Sequence, residues 1–385
     1  MDIVLVAHPT FLGYRSIAQY TKLLKDGMEI RGHDVEVWTA DDFFFRQTRH
    51  PLLKKWLGYI DQYLVFPITI KRRLKTCPKH TLFVFTDQAL GPYVPLLRKR
   101  PHVIHCHDFL AQQSALGEIK ENPTGITGKV LQAYIRRGFR MGKNFISVSE
   151  KTRNDLHRFL RKDPIISKVV YNGLNEDYQP FDKELARLIL GRRLGRNLRS
   201  GYLLHVGSNH WYKNRQGVLE IYDSWRAFTK RKLPLVMVGA TPDSRLADAY
   251  NRSPYKRDIY FMSDVDNELL VFVYAGAQIF LFPSLAEGFG WPIAEAMACG
   301  SPVITTNQAP MTEVAAQAGI YIPRRPSHPE EAEIWAFEAG RLIERVLELN
   351  EEDYQKIVAD CVENAQRFNT NAALNCIETI YRHIV

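Results

Sequence analysis

The chain has 385 residues, 45% hydrophobic and 24% charged, with a mean hydropathy of -0.25. That length exceeds what one hydrophobic core usually serves, and the composition argues against long disorder or low complexity, so two globular domains are expected. Five scattered cysteines with no C-x-x-C pair speak against a disulfide framework or a cysteine zinc site, and no apolar run reaches the ~18 residues that would span a membrane.

Met1-Asp2-Ile3-Val4 carries no basic leader, so the expected compartment is the cytoplasm. The net charge of +9 is uneven: residues 1–175 carry 28 Lys+Arg against 15 Asp+Glu, the remainder 23 against 27. Clusters such as Lys54-Lys55 and Lys71-Arg72-Arg73, beside Trp56, Leu57 and Tyr59, suit an anionic membrane surface, giving a peripheral location on its inner face. No RNA- or DNA-reading motif is present, and nucleic acid is not an expected partner.

Residues 3–7 read as a buried parallel strand, followed by a loop with Pro9 and Gly13 and a helix from Ser16 to about Arg31, stopped by Gly32. Strands follow at 35–38, 82–85, 102–105 and 144–148, separated by helix-length stretches. Asn172-Gly173 and Pro180 mark the connection, and a second βα series runs through 202–207, 235–238, 259–261, 279–282 and 303–304. The tail from Glu351 to Val385 reads as helix. The fold class is therefore α/β, two Rossmann-like parallel-sheet domains, one over 1–175 and one over 176–365, with a helix at about 366–385 packing back on the first. Ligands of such sheets sit beyond the strands' carboxyl ends, so two halves facing each other would enclose a cleft.

The chemistry concentrates between Phe282 and Val314. A strand ends at Phe282-Pro283, a glycine turn holds Glu287-Gly288-Phe289-Gly290, and Pro292 opens a helix ended by Gly300. A helix N-terminus presents free N–H groups to phosphate, and ionised carboxylates such as Glu287 and Glu295 accept hydrogen bonds from hydroxyls. A ligand with phosphate and several hydroxyls, such as a nucleotide sugar, satisfies both.

Glu287 through Val303 resembles the E-G-F-G-x-P-x-x-E-A-M-A-x-G-x-P-V signature of the family-4 retaining glycosyltransferases, with its E-x7-E pair. The resemblance implies the GT-B fold, a UDP- or GDP-linked sugar donor, no cofactor and no required metal, and a glycan or lipid-linked acceptor in surface polysaccharide or glycoconjugate assembly. It implies that Glu287 holds the transferred sugar, Glu295 the ribose and Lys213 the donor diphosphate. His107, in His105-Cys106-His107-Asp108, matches the histidine that faces the sugar. Gly288, Phe289, Gly290, Ser208, Asn209, Met262 and Gly13 are the further donor-side positions. Ser208 stands where the family often has arginine, which removes one positive charge; Arg215 or loop amides could replace it. Asp264-Val265-Asp266 has metal-binding spacing, but it precedes a helix and reads as its cap. Two alternatives are a nucleotide-sugar epimerase and a non-catalytic nucleotide-sugar binding protein.

Overall fold

Strands buried on both faces need apolar side chains on both, and runs such as Ile3-Val4-Leu5-Val6 and Leu82-Phe83-Val84-Phe85 supply them. The computed structural model describes residues 1–175 and 177–385; Glu176, where the sequence reading begins the second domain, lies outside the described residues. The chain divides into two compact units, Met1–Tyr171 with Asn371–Val385, and Asn172–Thr370.

The first unit holds a six-stranded parallel sheet of β1 (Asp2–Val6), β2 (Asp34–Trp38), β3 (Leu82–Phe85), β4 (His102–Cys106), β5 (Asn144–Ser147) and β6 (Ile166–Val169), in the order β2-β1-β3-β4-β5-β6. Its core joins Val4, Val6, Phe83, Phe85, Ile104 and Phe145 to Trp38, Phe109 and Phe139. The helix Thr370–Ile384 closes this unit from the far end of the sequence. Its Leu374 lies where Gly27 has no side chain, and its Glu378 accepts from His33 Nε2 at 2.9 Å. Its Tyr381 hydroxyl meets His105 Nε2 at 2.8 Å, while Tyr20, on the helix Arg15–Ile30, meets His105 Nδ1 at 2.7 Å. Burial pushes the His105 imidazole down to about 3, so it is neutral and serves as a polar rivet between the two helices.

Pro51–Ile60 and Phe66–Arg73 are helical and are joined by a π-helical turn, Asp61–Val65. The Asp61 carboxylate, fully buried, accepts the N–H groups of Phe44 and Phe45 at 2.8–3.0 Å. The aromatic run is thus tied to a helix, although Phe43 itself is exposed.

The second unit holds β7 (Leu203–Val206), β8 (Leu235–Val238), β9 (Ile259–Met262), β10 (Ile279–Phe282), β11 (Val303–Thr306) and β12 (Ile320–Ile322), parallel in the order β12-β11-β10-β7-β8-β9. The edge strands β6 and β12 are absent from the sequence reading. Both are edge strands with half-buried side chains, where the hydrophobic signal is weakest.

Candidate functional site

In each sheet the strand order reverses once, between β1 and β3 in the first unit and between β7 and β10 in the second. Such reversals open a crevice at the strands' carboxyl ends, where ligands of α/β sheets bind. The residues singled out from the sequence cluster at these two points.

In the second unit the loop after β7 leads to a short 3-10 turn, Trp211–Lys213, and the loop after β10 leads to Glu287. The two loops are stitched together: Leu285 N–H donates to the Tyr212 carbonyl at 2.7 Å, and Asn214 Nδ2 donates to the Pro283 carbonyl at 2.9 Å. Asn214 adopts left-handed backbone (φ 50) and caps the helix Arg215–Phe228 through Gly217 N–H. This geometry brings Lys213 Nζ to 2.7 Å from Glu287 Oε1, with both side chains largely buried. The ammonium also lies 4.9 Å from the Phe282 ring centroid.

Behind the pair runs the helix Trp291–Ala298, whose N-cap Gly290 has φ 103, a conformation that an L side chain rarely adopts. Glu295 sits on this helix and accepts from the Tyr274 hydroxyl at 2.8 Å. Burial raises its carboxyl to about 7, although that hydrogen bond and the Lys213 charge act in the opposite direction. Gly288 lies in the turn. The Phe289 side chain is buried, edge-on to Phe368 with centroids 5.4 Å apart.

The floor between β7, β8 and β9 is built by close backbone approach. A Cβ on Gly239 would come 2.0 Å from the Gly207 carbonyl oxygen. Ser208 and Asn209 follow Gly207, half-buried; Asn209 Nδ2 donates to the Thr241 carbonyl at 2.6 Å. Met262 is buried at the end of β9, and its carbonyl accepts Gly239 N–H at 2.9 Å. Arg215 runs beneath these loops, 5% exposed. Its Nη1 donates to Asn209 Oδ1 and, at 2.7 Å, to the Ala240 carbonyl. Nε and Nη2 are buried and find no partner in the protein. Burial lowers this guanidinium to about 10, which still leaves it charged at neutral pH.

In the first unit the crevice between β1 and β3 holds His8 and Asp87, joined at 3.0 Å between Nε2 and Oδ2. Gly13, with φ 69, ends the 3-10 turn Thr10–Leu12 in the loop after β1. Burial raises the Asp87 carboxyl, but the His8 hydrogen bond, the charges of His8 and His107 and the Ala89 N–H outweigh it and hold the carboxyl below its ordinary value. His107 follows β4. Its Nε2 lies 2.9 Å from the Thr86 carbonyl, an acceptor only, so Nε2 carries the ring proton and Nδ1 is left as an acceptor. Its N–H donates to Gln88 Oε1 at 2.9 Å. Burial lowers the His107 ring more than Asp87 raises it, which favours the neutral form.

Sequence models of two families match the chain: Glycosyltransferase Family 4 over residues 17–178, and Glycosyl transferases group 1 over residues 200–339. The chain is thus similar to glycosyltransferase family 4 in its first part and to the group 1 glycosyl transferases in its second. Its relatives include O-antigen chain mannosyltransferase B of Escherichia coli, 36% identical over 122 residues, which is 31% of this chain and 32% of that protein. The aligned stretch thus spans about a third of that relative's length. Sucrose-phosphate synthase of Thermosynechococcus elongatus superposes with a TM-score of 0.76 at 16% identity, covering 100% of this chain and 99% of that one. Anabaena HepE in complex with UDP-glucose superposes with a TM-score of 0.71 at 16% identity, covering both chains completely. These likenesses give the chain the GT-B fold, two parallel Rossmann-like sheets.

Within the second unit the geometry brings Lys213, Glu287 and Glu295 together and sets Ser208, Asn209 and Met262 along the neighbouring floor; His107 and Gly13 belong to the first unit. Sequence reasoning missed Tyr274, which holds Glu295, and the His8–Asp87 pair beside His107. It named Arg215 without any sign of its burial. The one available signal for His8, Asp87 and Arg215 was position in or beside a loop that follows a strand; Tyr274, near the end of the helix Asn267–Ala275, carried none.

Proposed function

We propose that the chain moves a hexose-type sugar from a UDP- or GDP-linked donor to a hydroxyl of a glycan or lipid-linked acceptor, with retention of anomeric configuration and without a metal, in surface polysaccharide or glycoconjugate assembly. The observation that carries this reading is the Lys213–Glu287 pair, 2.7 Å apart at the β7/β10 crevice, with Glu295 on the helix behind it. A cation for phosphate and two carboxylates for hydroxyls match the parts of a nucleotide sugar. The E. coli relative is named for mannosyl transfer and HepE was solved with UDP-glucose; both names support a hexose.

In the proposed reaction the bond between the anomeric carbon and the diphosphate oxygen breaks, and its electron pair leaves with the phosphate. Lys213 and the amides at the start of the helix Trp291–Ala298 stabilise that charge. The acceptor oxygen bonds to the anomeric carbon on the same face, and its proton passes to the departing phosphate. Glu287 accepts hydrogen bonds from sugar hydroxyls, Glu295 from the ribose, and His107 presents Nδ1 to the sugar. Charge stabilisation by Lys213 and helix amides supports the metal-free reading. Asp266, the second acid of the D-x-D, caps the helix Asn267–Ala275 by accepting Leu269 N–H. The proposed setting is the cytoplasmic side of an anionic membrane, reached through the basic first half; no described helix is long and apolar enough to cross one.

The test is calorimetric titration with UDP, GDP and ADP in the presence of a chelator. Selective binding of one supports the donor site and its metal independence. Binding of none overturns both.

A further inference from the structure

Two helices of the first unit carry apolar side chains on their outward faces. In the run Pro51–Arg73 the inward positions Gly58, Gln62, Phe66 and Ile70 are buried. The opposite side bears Leu52, Leu53, Trp56, Leu64 and Ile68, each between 54% and 68% exposed. The spacing from Leu53 through Trp56, Ile60 and Leu64 to Ile68 keeps one face through the π-helical turn, because that turn admits an extra residue where a regular helix would rotate the stripe. The run extends about 34 Å at helical rise. On the helix Ile126–Phe139, Ile126, Val130 and Tyr134 repeat every four residues and are 81%, 65% and 45% exposed. The Tyr63 and Tyr134 rings, with centroids 5.9 Å apart, join the two helices.

The exposed charges on these two helical runs have one sign. Lys55, Lys71 and Arg72 on the first run, and Lys129 and Arg137 on the second, are exposed. The sole carboxylate in either sequence is Asp61, which is buried on the N–H groups of Phe44 and Phe45. A soluble surface rarely leaves so many large apolar side chains uncovered without a partner. A two-fold contact between copies would set this basic surface against itself. Nucleic acid phosphates would match the charge and leave the leucines and isoleucines unused.

We propose that this two-helix face is a docking surface for an anionic lipid bilayer, its apolar stripe entering the headgroup boundary while the lysines and arginines meet lipid phosphates. The residue classes are those of an interfacial amphipathic helix, with Trp56 and the tyrosines suited to the polar–apolar boundary. This rests on and localises the membrane part of the proposed function.

The test is flotation of the full chain with vesicles of phosphatidylcholine alone and of phosphatidylcholine mixed with phosphatidylglycerol, at low and high salt. Flotation with the anionic vesicles, weakened by salt, is expected. Trp56→Glu with Ile68→Glu, both at exposed positions, and separately Lys71→Glu with Arg72→Glu, should each lower partitioning by about tenfold or more without changing the circular dichroism spectrum. Equal binding to neutral vesicles, no flotation, or undiminished flotation of the variants overturns the proposal. So does sedimentation as a dimer that Trp56→Glu dissolves, since the face would then be covered by a second copy. Nucleotide titration of the same protein separates the two readings. A chain that floats but binds no nucleotide loses the transferase assignment and keeps this surface; one that binds nucleotide but does not float loses this surface alone.

Discussion

Lys213 and Glu287, separated by 74 positions in sequence, form a largely buried ion pair of 2.7 Å in which each neutralises the group that the other would need for substrate. The carboxylate holds the ammonium beside the Phe282 ring. Donor binding would exchange this pair for contacts to phosphate and to sugar hydroxyls. Lys213→Met and Glu287→Ala should each lower kcat by about 100-fold or more. The double variant should fall well short of the product of the two losses, because the groups act together. Near-normal turnover of Glu287→Ala would sink the role assignment.

Glu295 gives the site a pH dependence. Its folded pKa of about 7 lies above the ordinary 4.5, so between those values the folded chain holds a proton that the unfolded chain has lost. Its contribution therefore lowers stability as pH rises through that window and levels off above it. In the proposed donor complex Glu295 accepts from ribose hydroxyls, and an ionised carboxylate accepts more strongly than a neutral one, so nucleotide affinity should rise with pH through about 7 and binding should release a proton. Calorimetry in buffers of different ionisation heat measures that release. It should vanish in Glu295→Gln.

Arg215 clamps two strand-end loops through one nitrogen and holds two more without a protein partner. Arg215→Met should weaken nucleotide binding by about tenfold and cost about 1–3 kcal/mol of stability, the range for a lost charged hydrogen bond. Arg215→Lys keeps the charge without the fork and should lie between. Titration and thermal melting of the three proteins give the order, and equal behaviour of all three would deny the clamp any role.

His105 predicts a purely structural effect. Replacing it with alanine strips two buried tyrosine hydroxyls, Tyr20 and Tyr381, of their partner and should cost about 2–4 kcal/mol. Nucleotide affinity of the folded variant should stay unchanged. Because its folded pKa of about 3 lies below the ordinary 6.5, its contribution is lost as pH falls below 6.5, and acid melting should be less steep in the variant.

The parts of the fold and site that were legible in the sequence are those written locally. The βα alternation, the glycine turn at Gly288 to Gly290 and the cap at Asp266 each depend on neighbours in the chain. Side-chain partners were not legible, since Lys213 finds Glu287, and Tyr274 finds Glu295, only through sheet order. Arg215 looks like any loop cation beside Lys213 until the strand-end loops after β7 and β8 close over it. The π-helical turn was equally hidden; it begins at Asp61, whose carboxylate accepts backbone N–H groups 16 and 17 positions away.

The helix Thr370–Ile384, which completes the first unit, comes from the chain's last residues. A ribosome releases the six strands of that unit early, yet His105, His33 and Gly27 wait for Tyr381, Glu378 and Leu374 until the whole second unit has been made. The usual order, in which the amino-terminal domain matures first, is therefore reversed for its final packing step. A stop just before Thr370 would spare the whole second sheet and still leave the first unit unfinished, so damage late in the message strikes the part of the protein that is made first.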